Sequence, residues 1–155
     1  MDFTPVCFSE VPGIRRVTSN GFELATSVIF WSGIQHFAET PRGMARVPDY
    51  VKTFMQEVPV VWDETRFIDG FPGKLVVLTR RSGKIWFVAG INGENIEKNL
   101  HLDLPFLKGS QTGNLITDGD DNRSFSTREI TVVPGKQIKL VIRGNGGFVI
   151  RFDAN

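Results

Sequence analysis

The alternation of apolar and polar residues changes near Pro59, and this change divides the chain into two parts. Before Pro59, apolar residues recur at spacings of three and four from Asn20 onward, which is the pattern of an amphipathic helix. Pro41 is expected to end this first helix. A second, shorter helix is predicted from Pro48 to Met55, because proline is tolerated in the first turn of a helix.

The first predicted helix is apolar on more than one face. A helix of this kind needs cover on several sides. Two helices in front of a sheet provide limited cover, so the pattern indicates a large packing partner on the N-terminal side of the chain. The apolar residues that nearly encircle the helix are Phe22, Leu24, Ala25, Val28, Ile29, Phe30, Trp31, Ile34 and Phe37.

After Pro59 the pattern is that of short strands separated by Gly, Pro and Asp turns, with a hairpin turn at 81–83. The predicted fold is mainly β: an antiparallel β-sandwich of about eight strands, preceded by an α-helical segment. We assign residues 1–58 to the helical segment and 59–155 to the sandwich. The predicted strands are 60–68, 74–80, 84–90, 98–104, 113–117, 126–132, 137–142 and 147–152.

Composition limits the classes of function that remain. The chain has 155 residues, about one domain, and a formal net charge of +1, so charge gives no reason to expect a nucleic acid or an anionic membrane as partner. The longest apolar run is too short for a transmembrane helix, and the first residues lack the features of a signal peptide. Cys7 is the one cysteine. It cannot form an internal disulfide, and we expect a buried, inert thiol.

The carboxylates do not form a catalytic pair. Asp63 and Glu64 are adjacent, and neighbours on a strand point to opposite faces, so they cannot flank one bond as an acid/base pair does. We expect a structural role for both, such as capping or pairing with Arg66. His36 and His101 have no second ligand at metal-binding spacing, so packing or surface roles are expected for them.

The segment 118–122 resembles the first half of a calcium-binding loop. Asp118, Asp120 and Asn122 occupy its positions one, three and five, and Glu129 occupies position twelve. Position six requires Gly and holds Arg123, and no helices are predicted on either side. A polar turn between two strands is therefore the favoured interpretation, with no metal site in this chain.

The three tryptophans leave a second class of function open. Trp31, Trp62 and Trp86 would form a carbohydrate-stacking platform if they were exposed and coplanar. They are far apart in sequence and lie in apolar runs, so packing in the core is favoured. A stand-alone carbohydrate-binding β-sandwich module remains the alternative function.

Three strings, in order along the chain, resemble glycoside hydrolase family 97: 1–5 (MDFTP), 22–35 (FELATSVIFWSGIQ) and 58–66 (VPVVWDETR). The strings 86–94 and 104–107 extend the resemblance. It identifies the chain as the C-terminal part of an α-glucosidase or α-galactosidase, with the end of a (β/α)8 barrel followed by a C-terminal β-sandwich. Val6 stands where the family usually has Gly, Phe3 replaces the usual Tyr, and Gly33 replaces the usual Pro.

The resemblance also implies what the chain lacks. The family's catalytic and calcium-binding glutamates lie upstream of the first string, so none falls in this chain, and calcium is expected in the parent's catalytic domain. Asp2 alone is placed near the substrate pocket. The implied role is a non-catalytic region that stabilises or assembles the barrel of an enzyme acting on terminal α-glucosides or α-galactosides. Its partner is that N-terminal barrel, and a periplasmic or cell-surface location is expected for the parent.

Without the barrel, the isolated chain is expected to self-associate through the apolar surface of its helical segment. Sedimentation velocity over a range of concentrations measures this directly. A single monomeric species at high concentration would contradict the expectation.

Overall fold

The computed structural model describes residues 4, 6–10 and 12–153, and Asp2 therefore lies outside the described residues. Within these residues eight strands form two antiparallel sheets, which confirms the predicted β-sandwich. The strands are β1 (Glu64–Phe71), β2 (Leu75–Ser82), β3 (Ile85–Asn92), β4 (Lys98–Leu102), β5 (Gln111–Asp118), β6 (Phe125–Val132), β7 (Ile138–Ile142) and β8 (Gly147–Asp153).

The larger sheet has six strands in the order β1-β2-β3-β8-β5-β6, and the smaller sheet pairs β4 with β7. Strands β1 and β6 are therefore the two edges of the larger sheet. The predicted hairpin turn joins β2 to β3, with Gly83 at φ 58°, a left-handed conformation that glycine adopts without strain. In β1 the register with β2 shifts between Phe67 and Asp69, which marks a β-bulge at Ile68.

The space between the two sheets holds the first of two hydrophobic cores, the sandwich core. Strict alternation along β4 and β7 directs one set of side chains into it, while residues between them, such as His101 and Val141, point to solvent. Its buried residues are Val77, Trp86, Val88, Leu100, Leu102, Leu104, Leu107, Leu115, Ile130, Val132, Ile138, Leu140, Ile142, Phe148, Ile150 and Phe152.

The second core, the helix-side core, lies on the opposite face of the six-stranded sheet. Three helices flank it: α1 (Asn20–Ile29), α2 (Pro41–Met44) and α3 (Asp49–Glu57). Helix α1 packs across β3, β8 and β5. The buried residues of this core are Val6, Phe8, Leu24, Ala25, Val28, Ile29, Val47, Val51, Phe54, Met55, Phe87, Ala89, Ile91, Ile116 and Val149.

Much of the cover that α1 requires thus comes from within the chain, since α1 packs on the six-stranded sheet and most of its residues are buried. The boundary between residues 1–58 and 59–155 stays a prediction. The helices and the larger sheet nevertheless share one core, so the two segments pack as a unit. No helix in the described ranges combines the length and apolarity needed to cross a membrane.

Helix α1 is shorter than predicted: it ends at Ile29, not near Pro41. Its last carbonyls are satisfied by side chains from elsewhere in the chain. Gln35 Nε2 donates to the Ser27 carbonyl at 2.9 Å, and Arg80 Nη2 donates to the Ile29 carbonyl at 3.1 Å. Such capping ends a helix without a Gly or Pro at its terminus, and a cation is favourable there because of the helix dipole. The second predicted helix is confirmed as α3, with Pro48 at its N-cap.

Replacing Leu24 by Ala tests whether the helices and the sheet unfold together. Leu24 is buried in the helix-side core, and Leu24→Ala should lower the free energy of unfolding by about 2–5 kcal/mol through lost transfer energy and a residual cavity. Urea denaturation followed by circular dichroism and tryptophan fluorescence should give coincident transitions.

The control is Val141→Ala on β7, an exposed apolar position. It should change the free energy of unfolding by no more than about 0.5 kcal/mol. A Leu24→Ala variant whose sheet unfolds at the wild-type urea concentration, after separate loss of helix, would show that the two parts are energetically independent.

Candidate interaction surfaces

The N-terminus of α1 is held on the sheet by one buried carboxylate. Asp118, the last residue of β5, accepts hydrogen bonds from the Gly21 N–H at 2.7 Å and the Gly147 N–H at 3.2 Å. Ser19 is the N-cap and accepts from the Phe22 N–H at 3.0 Å. A carboxylate and a hydroxyl oxygen thus satisfy two N–H groups of the first turn, which have no partner within the helix.

Two glycines make this close approach possible. A Cβ atom on Gly21 would lie 2.4 Å from the Gly147 carbonyl oxygen, and one on Gly147 would lie 2.6 Å from the Gly21 carbonyl oxygen. The backbones of α1 and β8 therefore touch at this point. A larger residue at either position would push the helix off the sheet.

Arg123, in the turn between β5 and β6, ties the segment that precedes α1 to the same end of the sheet. Its guanidinium donates to the Arg16 carbonyl at 2.7 Å and to the Thr18 carbonyl at 2.9 Å, and it pairs with Glu10. The backbone follows the same path, because the Asn20 N–H donates to the Asn122 carbonyl at 2.8 Å. The β5–β6 turn thus fixes the segment that precedes α1 against this end of the sheet.

These contacts explain the polar residues of the segment that resembles a calcium-binding loop. The segment forms a polar turn, as predicted, and Asp118 and Arg123 bind the helical segment. Within the described ranges, no group of three or more His, Cys, Asp or Glu side chains is placed to hold a metal ion. Burial raises the pKa of Asp118 above its ordinary value, although hydrogen bonds from Ser19, Gly21 and Gly147 act in the opposite direction.

A cleft of about 970 Å³ lies between the N-terminal segment, the loop before α2 and the β5–β6 turn. Glu39 is the central carboxylate of this cleft, and it accepts from the backbone N–H groups of Phe8 and Ser9 at 2.8 and 2.7 Å. Burial raises the pKa of Glu39, but hydrogen bonds from Ser9, Thr40 and Phe8 outweigh it, so the net pKa is lowered. An ionised Glu39 therefore anchors the N-terminal segment.

Cys7 lines the same cleft and is half-buried, where the sequence suggested full burial. Desolvation and the nearby Glu39 raise the pKa of its thiol, which disfavours the reactive thiolate. The second carboxylate of the cleft, Glu10, is paired with Arg123. The cleft therefore lacks an acid/base pair free for glycosidic chemistry among the described residues.

Asp63 and Glu64 have the structural role expected of them. Glu64 pairs with Arg66 at 2.6 Å and with Arg81 at 3.3 Å, and Asp63 pairs with Arg81 at 3.3 Å. Both carboxylates reach the same guanidinium because Asp63 precedes β1 and is not held to the strand's alternation. His36 and His101 lie at exposed positions.

The tryptophans do not form a coplanar carbohydrate platform. Trp86 is buried in the sandwich core, and Trp62 packs edge-on against Phe87 at a ring-centroid distance of 5.3 Å. These two confirm the expectation of core packing. Trp31 contradicts it, since 66% of its surface is exposed. The reason is that α1 ends two residues earlier, which turns Trp31 outward instead of along the helix.

Trp31 belongs to an exposed apolar surface beyond the C-terminus of α1. Its Nε1 donates to the Val60 carbonyl at 3.1 Å, which brings the loop after α1 against the segment that leads into β1. Sequence periodicity predicted an apolar surface on the helical segment but placed Trp31 and Ile34 on the helix itself, whereas α1 ends at Ile29. We call it the α1 patch, and its residues are Phe30, Trp31, Ile34, Val60 and Val61.

Comparison with known proteins identifies the β part of the chain. The family model described as the C-terminal, oligomerisation domain of glycosyl hydrolase 97 matches residues 61–153. The chain is 35% identical over 151 residues to a probable retaining α-galactosidase of Streptomyces bingchenggensis, and the match covers 96% of this chain and 22% of the relative.

Two solved structures share the fold and the sequence. A crystal structure of a β-arabinopyranosidase matches with a TM-score of 0.81 and 38% identity, covering 88% of this chain and 21% of that one. A glycoside hydrolase family 97 enzyme from a Pseudoalteromonas species, in complex with acarbose, matches with a TM-score of 0.79 and 25% identity, covering 89% of this chain and 23% of that one. The chain thus spans about a fifth of the length of these relatives.

The buried Asp118 should make stability depend on pH in a specific direction. A raised pKa in the folded state contributes stability that is fully present below the ordinary Asp pKa of about 3.9 and is lost as pH rises through the folded value. Relative to Asp118→Asn, which does not titrate, the wild type should therefore be most stable near pH 4 and lose that advantage toward pH 7. Urea denaturation at both pH values measures the difference.

Asp118→Ala separates the hydrogen bonds from the charge. It leaves the Gly21 and Gly147 N–H groups without the carboxylate and should cost about 1–3 kcal/mol at either pH. If the wild type instead gained stability over Asp118→Asn as pH rises, the ionised carboxylate would be the favoured form at the helix N-terminus.

Proposed function

The chain belongs to glycoside hydrolase family 97, as its C-terminal domain, and from this we propose that it serves the catalytic barrel of a longer α-glycosidase, which it stabilises and assembles. The observation that carries the proposal is the α1 patch: a group of exposed apolar side chains beyond the C-terminal end of α1, in which Trp31 bonds to the Val60 carbonyl. Large exposed apolar surfaces mark interaction sites. The match spans only 22% of the curated relative and 21% of the solved structure, so both contain the additional residues that such a surface needs as cover.

The patch has the composition of a buried interface. It combines an indole, a phenyl ring and branched aliphatic side chains, and aromatic residues of this kind are enriched where interfaces are buried. Arg80 fixes the end of α1 next to the patch, because its guanidinium donates to the Ile29 carbonyl and lies 5.6 Å from the Trp62 ring.

We propose terminal α-galactosides as the substrate class of the parent enzyme. The support is the activity named for the 35% identical relative. Hydrolysis of terminal α-glucosides remains within the proposal, since the parent's specificity depends on residues outside this chain. The catalytic residues and the calcium ion are proposed for the barrel, and the parent is proposed to act in the periplasm or at the cell surface.

Sequencing the DNA upstream of the Met1 codon is the first test. The proposal expects an open frame that continues for several hundred codons, with glutamates shortly before Met1. A stop codon in frame just upstream would contradict it and would favour a free-standing carbohydrate-binding module.

The second test uses the intact enzyme encoded by that frame, with Trp31→Ser and Ile34→Ser combined. Each apolar side chain that loses a buried partner should cost about 1.5–3 kcal/mol, so the melting temperature should fall, and hydrolysis of p-nitrophenyl α-galactoside should be lost at a lower temperature. The matched control is Ile96→Ser, an exposed apolar residue in the β3–β4 loop. Equal melting temperatures for the double variant and the control would contradict the role of the α1 patch.

A further inference from the structure

The matched family model carries the description oligomerisation, yet most of the α1 patch lies outside the residues it matches. Within 61–153, the exposed large apolar residues are Val61, Phe67, Phe71, Ile96, Val133 and Val141. Val61 belongs to the α1 patch. Ile96, Val133 and Val141 are scattered over two loops and β7. Phe67 and Phe71 remain, and they lie together on the edge strand β1.

These two phenyl rings flank an apolar groove of about 400 Å³. The groove lies where α1 leaves the sheet uncovered, because α1 packs mainly across β3, β8 and β5. Phe67 is 64% exposed and Phe71 65% exposed, which is far more than packing in a monomer requires. The other residues that line the groove are Phe22, Gly70, Pro72, Gly73, Lys74, Leu75, Val76, Ile91 and Gly93.

The two edges of the six-stranded sheet differ in chemistry. Strand β6 exposes Ser126, Thr127, Arg128, Glu129 and Thr131, all polar. Polar and charged side chains of this kind keep an edge strand from pairing with another chain. Strand β1 also exposes polar and charged side chains, namely Thr65, Arg66 and Asp69, but it adds two exposed phenyl rings. These exposed rings, and not a lack of charge, distinguish the β1 edge from the β6 edge.

We propose that the β1 edge is the surface through which two copies of this chain associate, with Phe67 and Phe71 of each copy seated against the groove of the other. A two-fold axis brings the same patch of both copies together, and it sets identical edge strands antiparallel. The bulge at Ile68 interrupts the ladder in mid-strand. The phenyl contacts, more than a long hydrogen-bonded ladder, therefore provide the affinity.

This inference rests on the proposed function only in taking oligomerisation as a role of the domain; it does not require the catalytic barrel. The test is sedimentation velocity on the 155-residue chain carrying Trp31→Ser and Ile34→Ser, which removes the two most exposed side chains of the loop after α1 from the α1 patch. This background should still form a dimer at high concentration. Adding Phe67→Lys and Phe71→Lys should return it to a monomer over the same concentrations.

Two further pairs act as controls. Thr127→Lys with Thr131→Lys adds the same charge to the exposed β6 edge and should leave the dimer intact. Phe67→Leu with Phe71→Leu keeps the apolar contact and should retain association, which separates the loss of contact from misfolding. A background chain that is already monomeric, or a lysine pair on β1 that leaves the dimer unchanged, would overturn the proposal.

The two proposals fail in different ways. In the intact enzyme, Phe67→Lys with Phe71→Lys should abolish the dimer but should not change the melting temperature measured at concentrations where the enzyme is monomeric. Trp31→Ser with Ile34→Ser should lower the melting temperature under the same conditions. If the Trp31→Ser and Ile34→Ser pair leaves the melting temperature unchanged, the α1 patch does not dock on the barrel. If the dimer persists with the two lysines on β1, the β1 edge is not the dimer interface.

Discussion

The structure depends on one six-stranded sheet that is apolar on both faces. Along β3, Trp86 and Val88 enter the sandwich core, while Phe87 and Ala89 enter the helix-side core. A strand with this run cannot have one face in water. The β4–β7 pair covers one face, and the helical segment must cover the other. The hydrogen bonds of Asp118 and Arg123 to the start of the helical segment follow from this requirement, since they fix α1 in the position where it covers β8.

The strands were predictable because their signal is local. Alternation along β4 and β7 and the Gly-containing turns set their positions within a few residues. The end of α1 was not predictable, because it depends on Arg80, which lies 51 residues away in sequence. Periodicity continues past Ile29 into Trp31 and Ile34, and only the tertiary cap shows that these residues leave the helix. The sequence therefore predicted an apolar surface on the helical segment, but not that Trp31 and Ile34 lie beyond the end of the helix.

Val6 shows a different limit of sequence reasoning. It has a φ of 70°, in the left-handed region that β-branched residues rarely adopt. The departure from the family's usual Gly thus falls at a position where the backbone itself favours glycine. Such a conformation costs about 1–3 kcal/mol and persists only where surrounding contacts enforce it. Here the Val6 side chain is buried in the helix-side core, which offsets part of that cost.

The carboxylates at the cleft, at the start of α1 and at the start of β1 hold segments of the chain together. Glu39 binds backbone N–H groups, Asp118 holds the start of α1, and Asp63 and Glu64 share Arg81. A general acid must be free to exchange its proton with a substrate, and these groups are engaged in holding segments together. The apolar surfaces differ in that nothing within the described residues covers them fully. The helix-side core packs α1 against the same sheet that ends in β1, so both surfaces belong to one packed unit.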